Sequence, residues 1–305
     1  MEEKQPEPEP QTVNIAEETE EEENKEEEEE YEEEVASEEV AQPQQAVVVV
    51  KHAKPVEEIQ LKPTSEQADA LATVLKALKA LGIDEATFSY NGNISLRIMD
   101  ASRVSMLDAQ VDMGLGLESL VEAPPVKRKF TCNVSQLARA LRMDIPTFNV
   151  GQCEIACITE KIKTTIPILE DNQEDMPEPK VTLDITTNLD VKEVFTEMTK
   201  YLGTEGIPSA LSLVSENGKL TAKGSNEDLQ KFEMTGFTAS KDGKAIFSTR
   251  LLQALKTKNW AIIFANDLPL KASVNLTQTH YVKDKPLTTK VASITVWLAP
   301  RVEEE

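Results

Sequence analysis

The chain contains few of the residues from which most active sites are built. Its 305 residues include two histidines, three cysteines and eleven glycines. With His52 and His280 alone, neither a histidine-based catalytic dyad nor a zinc triad is expected. The sequence also lacks the P-loop motif, the glycine motif of dinucleotide-binding folds and the HExxH zinc motif. We therefore expect a protein that is not an enzyme and that carries no cofactor and no metal.

Long hydrophobic runs are also missing. No stretch approaches the roughly 18 apolar residues that a membrane-spanning helix needs. The first residues are rich in glutamate, whereas signal and transit peptides carry basic residues. We therefore expect an intracellular protein. In a reducing compartment the three cysteines are expected to pack in the core, with Cys153 and Cys157 on one strand face and Cys132 elsewhere.

Negative charge is abundant but concentrated at one end of the chain. The sequence has 54 acidic and 32 basic residues, and residues 1–60 alone contain 22 glutamates and four lysines. Residues 61–305 contain 32 acidic and 28 basic residues. We interpret the chain as a near-neutral globular body, long enough to bury a full core, preceded by an acidic arm.

The arm, residues 1–55, is predicted to be disordered. Glu17–Glu34 has 14 glutamates in 18 positions, and their mutual repulsion opposes folding. Val47–Val50 forms an apolar segment within the arm. This segment is either an exposed linker or a strand that adds to a sheet edge of the body or of a partner.

The body shows an internal repeat. Amphipathic helices are predicted to begin near Ser65, Val134, Leu189 and Thr249, at a period near 60 residues. The first predicted helix has apolar residues at helical spacing, namely Leu71, Val74, Leu75, Leu78 and Leu81. About fifteen strands are predicted between and around the helices. We therefore predict an α+β fold made of four strand-helix-strands modules.

Turn residues predict how the strands connect. Three hairpins are predicted, at Tyr90–Asn93, Glu216–Lys219 and Lys241–Lys244, because each contains an Asn-Gly or Asp-Gly pair. Residues 166–182 are rich in acids and include Pro177 and Pro179, which is typical of an extended surface linker. We therefore predict two domains at 56–165 and 183–302, a connector at 166–182 and an acidic tail at 303–305.

The predicted helices are rich in basic residues. The second and fourth contain no acid, and the third mixes two lysines with Glu193 and Glu197. If the four helices share one side of the sheets, they form a basic surface suited to a phosphate backbone. Alternatively, lysine and arginine simply favour exposed helix positions and helix C-termini. The candidate residues are Lys76, Lys79, Arg139, Arg142, Lys192, Lys200, Arg250, Lys256 and Lys258.

Five segments of the sequence resemble the PCNA family of DNA sliding clamps, and they occur in the same order as in that family. They are ALKALGIDEATFSYNGNISLRIMDASRVSMLD at 77–108, FTCNVSQLARALR at 130–142, Asp175-Met176-Pro177, Asp267-Leu268-Pro269-Leu270 and WLAPRV at 297–302. The first is similar to the family's M-D-x-S-x-V signature and the second to its second helix. The others are similar to its connector loop, to a loop beside the docking pocket, and to its C-terminal strand and tail. The resemblance covers residues 56–302.

The resemblance implies a DNA-clamp fold with two similar domains, and a trimeric ring around duplex DNA whose helices line the hole. The basic candidates would then face DNA. Expected partners are DNA polymerase, flap endonuclease, DNA ligase, a clamp loader, and copies or paralogues of the subunit. Enzymes would dock through a short peptide in a pocket made of Met99, Arg103, Val104, Leu107, Met176, Pro177, Pro269, Ala299, Pro300, Arg301 and Val302. For Met99, Val104 and Leu107, an ordinary core position is the alternative.

Two features depart from the family, and they leave other functions open. The acidic arm precedes the first strand, and the third helix carries acids. One alternative is a clamp-like interaction scaffold or heteromeric-ring subunit that does not encircle DNA by itself; another is an enzyme on this frame. One hypothesis for the arm is that it competes with DNA for the basic helices or repels DNA before loading. The WLAPR ending resembles archaeal members, which favours a cytoplasmic, DNA-associated protein, or a nuclear one if the source is eukaryotic.

Overall fold

The computed structural model describes residues 58–113, 127–142, 146–171, 176–226, 228, 230–282 and 285–301. The predicted arm of residues 1–55, its Val47–Val50 segment, Asp175, Val302 and the tail 303–305 lie outside the described residues. All structural statements below concern the described part of the chain.

The body consists of four copies of one module, each a strand, a helix and three strands, which confirms the predicted repeat. The first module comprises β1 (Ile59–Leu61), α1 (Ser65–Ala80), β2 (Glu85–Tyr90), β3 (Asn93–Met99) and β4 (Ser105–Asp112). The second comprises β5 (Arg128–Asn133), α2 (Val134–Ala140), β6 (Thr147–Val150), β7 (Glu154–Ile158) and β8 (Lys163–Pro167). The third comprises β9 (Ile185–Thr187), α3 (Val191–Leu202), β10 (Ala210–Glu216), β11 (Lys219–Ser225) and β12 (Lys231–Thr238). The fourth comprises β13 (Gly243–Ser248), α4 (Thr249–Leu252), a 3-10 helix (Gln253–Thr257), β14 (Ala261–Phe264), β15 (Leu270–Val282) and β16 (Lys285–Leu298).

Local sequence signals explain where the helices begin. Thr64 and Gln67 form a reciprocal capping box at the start of α1, and Asp190 accepts a hydrogen bond from the Glu193 amide at the start of α3. The predicted apolar positions of α1 are all buried, from Leu71 to Leu81. The fourth helix differs from the prediction, because it continues after Leu252 as a 3-10 helix.

The modules exchange their first strands within each half of the chain. The strand orders are β1-β6-β7-β8, β12-β11-β10-β13 and β5-β2-β3-β4-β16-β15-β14-β9. β1 therefore joins the strands of the second module, and β5 joins those of the first. β13 and β9 are exchanged in the same way in the second half. Every strand pair is antiparallel.

The two halves are joined through β4 and β16. These two strands pair from Ser105 opposite Leu298 to Val111 opposite Ala292. β4 and β16 are the last strands of the first and fourth modules, so one eight-stranded sheet runs through both halves. Residues 176–184, within and just after the predicted connector, have no regular secondary structure.

Two of the three predicted hairpins form, and the third does not. β2 pairs with β3, and β10 pairs with β11, where Asn217 and Gly218 both adopt positive φ. The prediction at Lys241–Lys244 is wrong, because β12 and β13 lie at opposite edges of their sheet. The Asp-Gly pair lies instead in the connection that leads from β12 at one edge of the sheet to β13 at the other.

The cysteine prediction holds for two residues. Cys132 and Cys157 are buried in the core, whereas Cys153 is exposed in the bend before β7. Cys153 falls outside the alternating part of the strand, so it does not share the buried face of Cys157. None of the described helices has the length and apolar character needed to span a membrane.

The helices form one row over the sheets. α1 contacts α2 on one side and the 3-10 helix on the other, and the 3-10 helix contacts α3. The apolar faces of these helices and the inner faces of the sheets share one continuous core, which includes Leu75, Leu107, Phe195 and Ile294. The opposite faces of the helices are therefore left for charged residues.

Candidate functional site

The helical segments of this row carry the nine predicted basic residues. Eight of the nine candidates are exposed and Lys258 is half-buried. The helical segments 65–81, 134–142, 191–202 and 249–258 contain these nine basic residues and four acidic ones, namely Glu66, Asp69, Glu193 and Glu197. The row therefore has a net positive charge, although the rest of the body does not.

Some of these cations already have partners. Lys258 Nζ lies 2.8 Å from Asp69 Oδ2, and Lys256 Nζ lies 4.9 Å from the centre of the Phe195 ring. Hydrogen bonds to Tyr201 and Glu197 raise the pKa of Lys200 above its ordinary value, so this lysine stays charged. The other basic residues of α1, α2 and α3, namely Lys76, Lys79, Arg139, Arg142 and Lys192, form no ion pair with any described residue.

A tight turn between β3 and β4 organises the predicted partner pocket. Asp100 accepts hydrogen bonds from the Ser105 hydroxyl at 3.0 Å and from the Ser102 amide at 3.1 Å. Arg103 has a φ of 57°, which completes the turn. As a result Val104 points outward, and 39% of its surface is exposed.

The predicted pocket residues are distributed between two clefts that flank this turn. A cleft of about 550 Å³ brings together Met99, Arg103 and Met176. A second cleft, of about 580 Å³, brings together Val104, Ala299, Pro300 and Arg301. We call the second one the tail cleft. Pro177 and Pro269 border neither cleft, and Val302 lies outside the described residues.

The tail is fixed by backbone hydrogen bonds to both halves of the chain. The Ala299 amide donates to the Val104 carbonyl at 2.8 Å, and the Arg301 amide donates to the Ile246 carbonyl at 2.7 Å. Residues 299–301 therefore continue along the end of β16 and lie against β13. This anchoring gives the tail cleft a defined wall.

Leu107, one of the predicted pocket residues, is fully buried in the core shared with the helices. Strand alternation places its neighbour Met106 on the opposite face of the sheet. There Met106 lies between Met99 on β3 and Trp297 on β16. Met106 and Trp297 were not among the predicted pocket residues, although alternation along β4 could have identified Met106.

Trp297 links this face of the sheet to the predicted connector. Lys271 lies over its ring and also forms an ion pair with Glu178, two residues after Met176. The Trp297 Nε1 atom is buried and has no hydrogen-bond partner among the described residues. Leu268, in the predicted loop before Pro269, is 38% exposed beside the start of β15.

Comparison with known proteins identifies the fold. No protein-family model and no curated protein sequence matches the chain. PCNA from Entamoeba histolytica matches with a TM-score of 0.60 and 16% identity, over 80% of this chain and 98% of that one. The PCNA2–PCNA3 complex from Sulfolobus tokodaii matches with a TM-score of 0.58 and 18% identity, over 81% and 100%.

A third solved structure is A. fulgidus PCNA bound to the C-terminal region of FEN-1. It matches with a TM-score of 0.58 and 13% identity, over 81% of this chain and 99% of that one. At these identities the likeness establishes the fold alone. The predicted resemblance is confirmed at that level: the protein has the α+β DNA-clamp fold of the PCNA sliding clamps.

Proposed function

We propose that the protein is a non-catalytic sliding clamp that closes into a ring of three subunits around duplex DNA and tethers replication and repair enzymes. One observation carries this proposal: a row of four helices, with nine basic and four acidic residues, on one side of a clamp fold. Residues 56–165 and 183–302 would act as two clamp domains, joined by the connector 166–182.

The basic row suits a ring that slides. Lysine and arginine attract the phosphate backbone without reading the bases, so binding is independent of sequence. A closed ring stays on DNA because of its topology, and the row needs only a modest positive charge. Strong attachment to individual phosphates would oppose sliding.

The repeat itself suggests how the ring closes. The last strands of the four modules are β4, β8, β12 and β16, and β4 pairs with β16 inside the chain. β8 and β12 stand at sheet edges and each pairs with one neighbour among the described strands. If β8 of one subunit pairs with β12 of the next, the two four-stranded sheets join into one eight-stranded sheet. That sheet would resemble the internal one, in which β4 pairs with β16 at the centre.

The free edge of β8 is suited to such pairing. The Ile168 amide donates to the Cys153 carbonyl at 2.8 Å, toward β7. Backbone groups alternate in direction along an antiparallel strand. The Thr165 amide and carbonyl therefore point away from β7, toward the open edge, where they can bond another chain.

Partner enzymes would dock on the side of the sheet that carries the two clefts. The similarity to A. fulgidus PCNA bound to the C-terminal region of FEN-1 supports a peptide as the ligand. We expect DNA polymerase, flap endonuclease and DNA ligase to use this site, with Val104, Met176 and Pro300 contacting their apolar side chains. A clamp loader would open the ring.

A second candidate is a heteromeric-ring subunit, or a clamp-like scaffold that does not encircle DNA by itself. The acids of α3 favour it, because Glu193 and Glu197 offset Lys192 and Lys200 within the row. The similarity to the PCNA2–PCNA3 complex also supports pairing between different subunits. In that ring, β8 or β12 would meet a paralogue.

The test uses linear duplex DNA with both ends blocked by bound protein, compared with the same DNA with one free end. The protein is loaded by a clamp loader, or is added before the ends are blocked. The DNA is then washed with salt at a concentration that screens simple electrostatic contacts. An encircling ring stays on the blocked DNA and slides off the free end. Equal retention on both DNAs would contradict encirclement.

A further inference from the structure

The tail cleft contains two positive charges and little negative charge. It lies where the end of α1, the turn between β3 and β4, the junction of β13 with α4, and the tail meet. Arg250 and Arg301 both border it and are both exposed. Asp100 is the one acidic residue among its described lining residues.

Asp100 does not neutralise either arginine. Its Oδ1 atom accepts hydrogen bonds from the Ser105 amide and hydroxyl, and its Oδ2 atom accepts one from the Ser102 amide. The carboxylate is therefore occupied by the turn that it stabilises. Within the described residues, no ion pair joins Arg250 or Arg301 to a carboxylate.

Gly82 leaves room for the Arg250 guanidinium, and a hydrogen bond positions that of Arg301. Arg250 Nη2 lies 3.1 Å from the point where a Cβ atom on residue 82 would stand, and residue 82 is a glycine with a φ of 77°. Gly82 thus leaves the space that the arginine uses. Arg301 Nη1 donates to the Ser209 hydroxyl oxygen at 3.3 Å.

Two hydroxyl groups add donors to the cleft. Ser248 occupies the N-cap position of α4, but its side chain makes no capping hydrogen bond. Ser209 accepts a hydrogen bond from Arg301, so its own hydroxyl proton remains free to donate. Guanidinium and hydroxyl donors together are the groups that bind carboxylate and phosphoryl oxygens.

We infer that the tail cleft binds an acidic residue of a partner peptide through its carboxylate or phosphoryl oxygens. This inference rests on the proposed docking function. A peptide fits better than a DNA backbone because exposed Val104 and half-buried Ala299 and Pro300 border the same cleft. These apolar side chains can contact the peptide's aliphatic or aromatic residues, whereas a phosphate backbone offers none.

Peptide selection tests the inference. A displayed library of random twelve-residue peptides is selected against the full-length protein and against an Arg250→Ala/Arg301→Ala variant. We expect the unchanged protein to enrich Asp or Glu at a fixed spacing from apolar residues. A selected peptide with Glu should bind about tenfold more tightly than its Gln version, since charge-assisted hydrogen bonds are the stronger kind.

The arginine variant should lose this difference. A Lys62→Ala/Lys219→Ala variant removes the same charge from exposed sites outside the cleft and should keep it. Ser248→Asp, which places a carboxylate at the cleft, should also reduce the preference for Glu. A phosphoserine version distinguishes the sources: tighter binding than Glu indicates a phosphoryl ligand, and weaker binding indicates a carboxylate.

Two results would overturn the inference. One is a selection without acidic preference, or with a preference that survives in the arginine variant. The other is an arginine variant that loses duplex binding but selects the same peptides, because the cleft would then serve DNA. Ring mass and retention on end-blocked DNA are measured separately. If the protein forms no ring and is not retained on end-blocked DNA, but still selects acidic peptides, the proposed clamp function is contradicted. The assignment of the cleft then still stands.

Discussion

The ammonium group of Lys271 lies 4.8 Å from the centre of the Trp297 ring. The same lysine forms an ion pair with Glu178, at 3.3 Å between Nζ and Oε1. It therefore joins the sheet face that carries Met106 and Trp297 to the predicted connector, which carries Met176. A partner peptide would lie next to this junction.

Lys271→Ala should loosen the connector without unfolding the protein. An exposed ion pair and a cation–π contact contribute about 1 kcal/mol or less each. We expect faster cleavage by trypsin after Lys180, with a small change in the free energy of unfolding. Lys241→Ala, which removes the ion pair with Asp184 at the far end of this segment, is the control. Unchanged cleavage in Lys271→Ala would contradict the link.

Leu107→Ala and Val104→Ala should distinguish a residue of the core from a residue of the binding surface. Leu107 is fully buried, so its truncation should lower the free energy of unfolding by about 2–5 kcal/mol. Val104 is 39% exposed, and its truncation should change stability by about 0.5 kcal/mol or less while weakening peptide binding. Urea denaturation and fluorescence anisotropy with a peptide from the C-terminal region of FEN-1 measure the two effects. A Leu107→Ala variant of unchanged stability would disprove the core assignment.

The buried thiols should make stability depend on alkaline pH. Burial raises the pKa of Cys132 to about 12 and that of Cys157 to about 11, from 9.0. The folded state thus retains protons that the unfolded state loses above pH 9. This contribution is fully present below pH 9 and is lost as pH rises toward 11, by about 1.4 kcal/mol per pH unit for each thiol.

A Cys132→Ala/Cys157→Ala variant should have a shallower decrease in unfolding free energy between pH 9 and 11. In the native protein a thiol reagent at pH 8 should modify Cys153, which is exposed, and leave the two buried cysteines unmodified. Equal pH slopes for the variant and the unchanged protein, or rapid labelling of all three thiols, would contradict this account.

Deleting residues 1–50 should strengthen DNA binding at low salt. The hypothesis is that the acidic arm opposes the approach of phosphate, by repulsion or by competition for the helix row. The difference between the truncated and full-length chains should shrink as salt rises, because salt screens both effects. Fluorescence anisotropy with a short duplex at 50 mM and 300 mM salt measures it. Equal affinity at low salt would refute a role for the arm in DNA binding.

The sequence predicted the elements well because their signals are local. The apolar spacing of α1 identified the helix, and the period near 60 identified the four modules. Pairing between distant strands is less local. Lys241–Lys244 contains a good turn sequence, but the strands that flank it pair with β10 and β11 instead of each other.

The pocket prediction shows a similar limit. The resemblance placed Leu107 in the pocket, whereas strand alternation directs its side chain into the core. The side chain of Met106 lies on the opposite face of the sheet. The meeting of Arg250 and Arg301 in the tail cleft could not be predicted. Arg250 was assigned to the DNA-facing set and Arg301 to the pocket, and only the folded chain brings both to one cleft beside Gly82.

Ring closure through β8 is the central claim, and light scattering after size-exclusion chromatography tests it most directly. We predict a mass of about three times the 33.8 kDa of one chain. Thr165→Pro, which removes an amide that faces the open edge, should shift the mass to that of one chain, and Thr165→Val, which keeps the amide, should not. A single-chain mass for the unchanged protein, or a trimer that survives Thr165→Pro, would contradict the account.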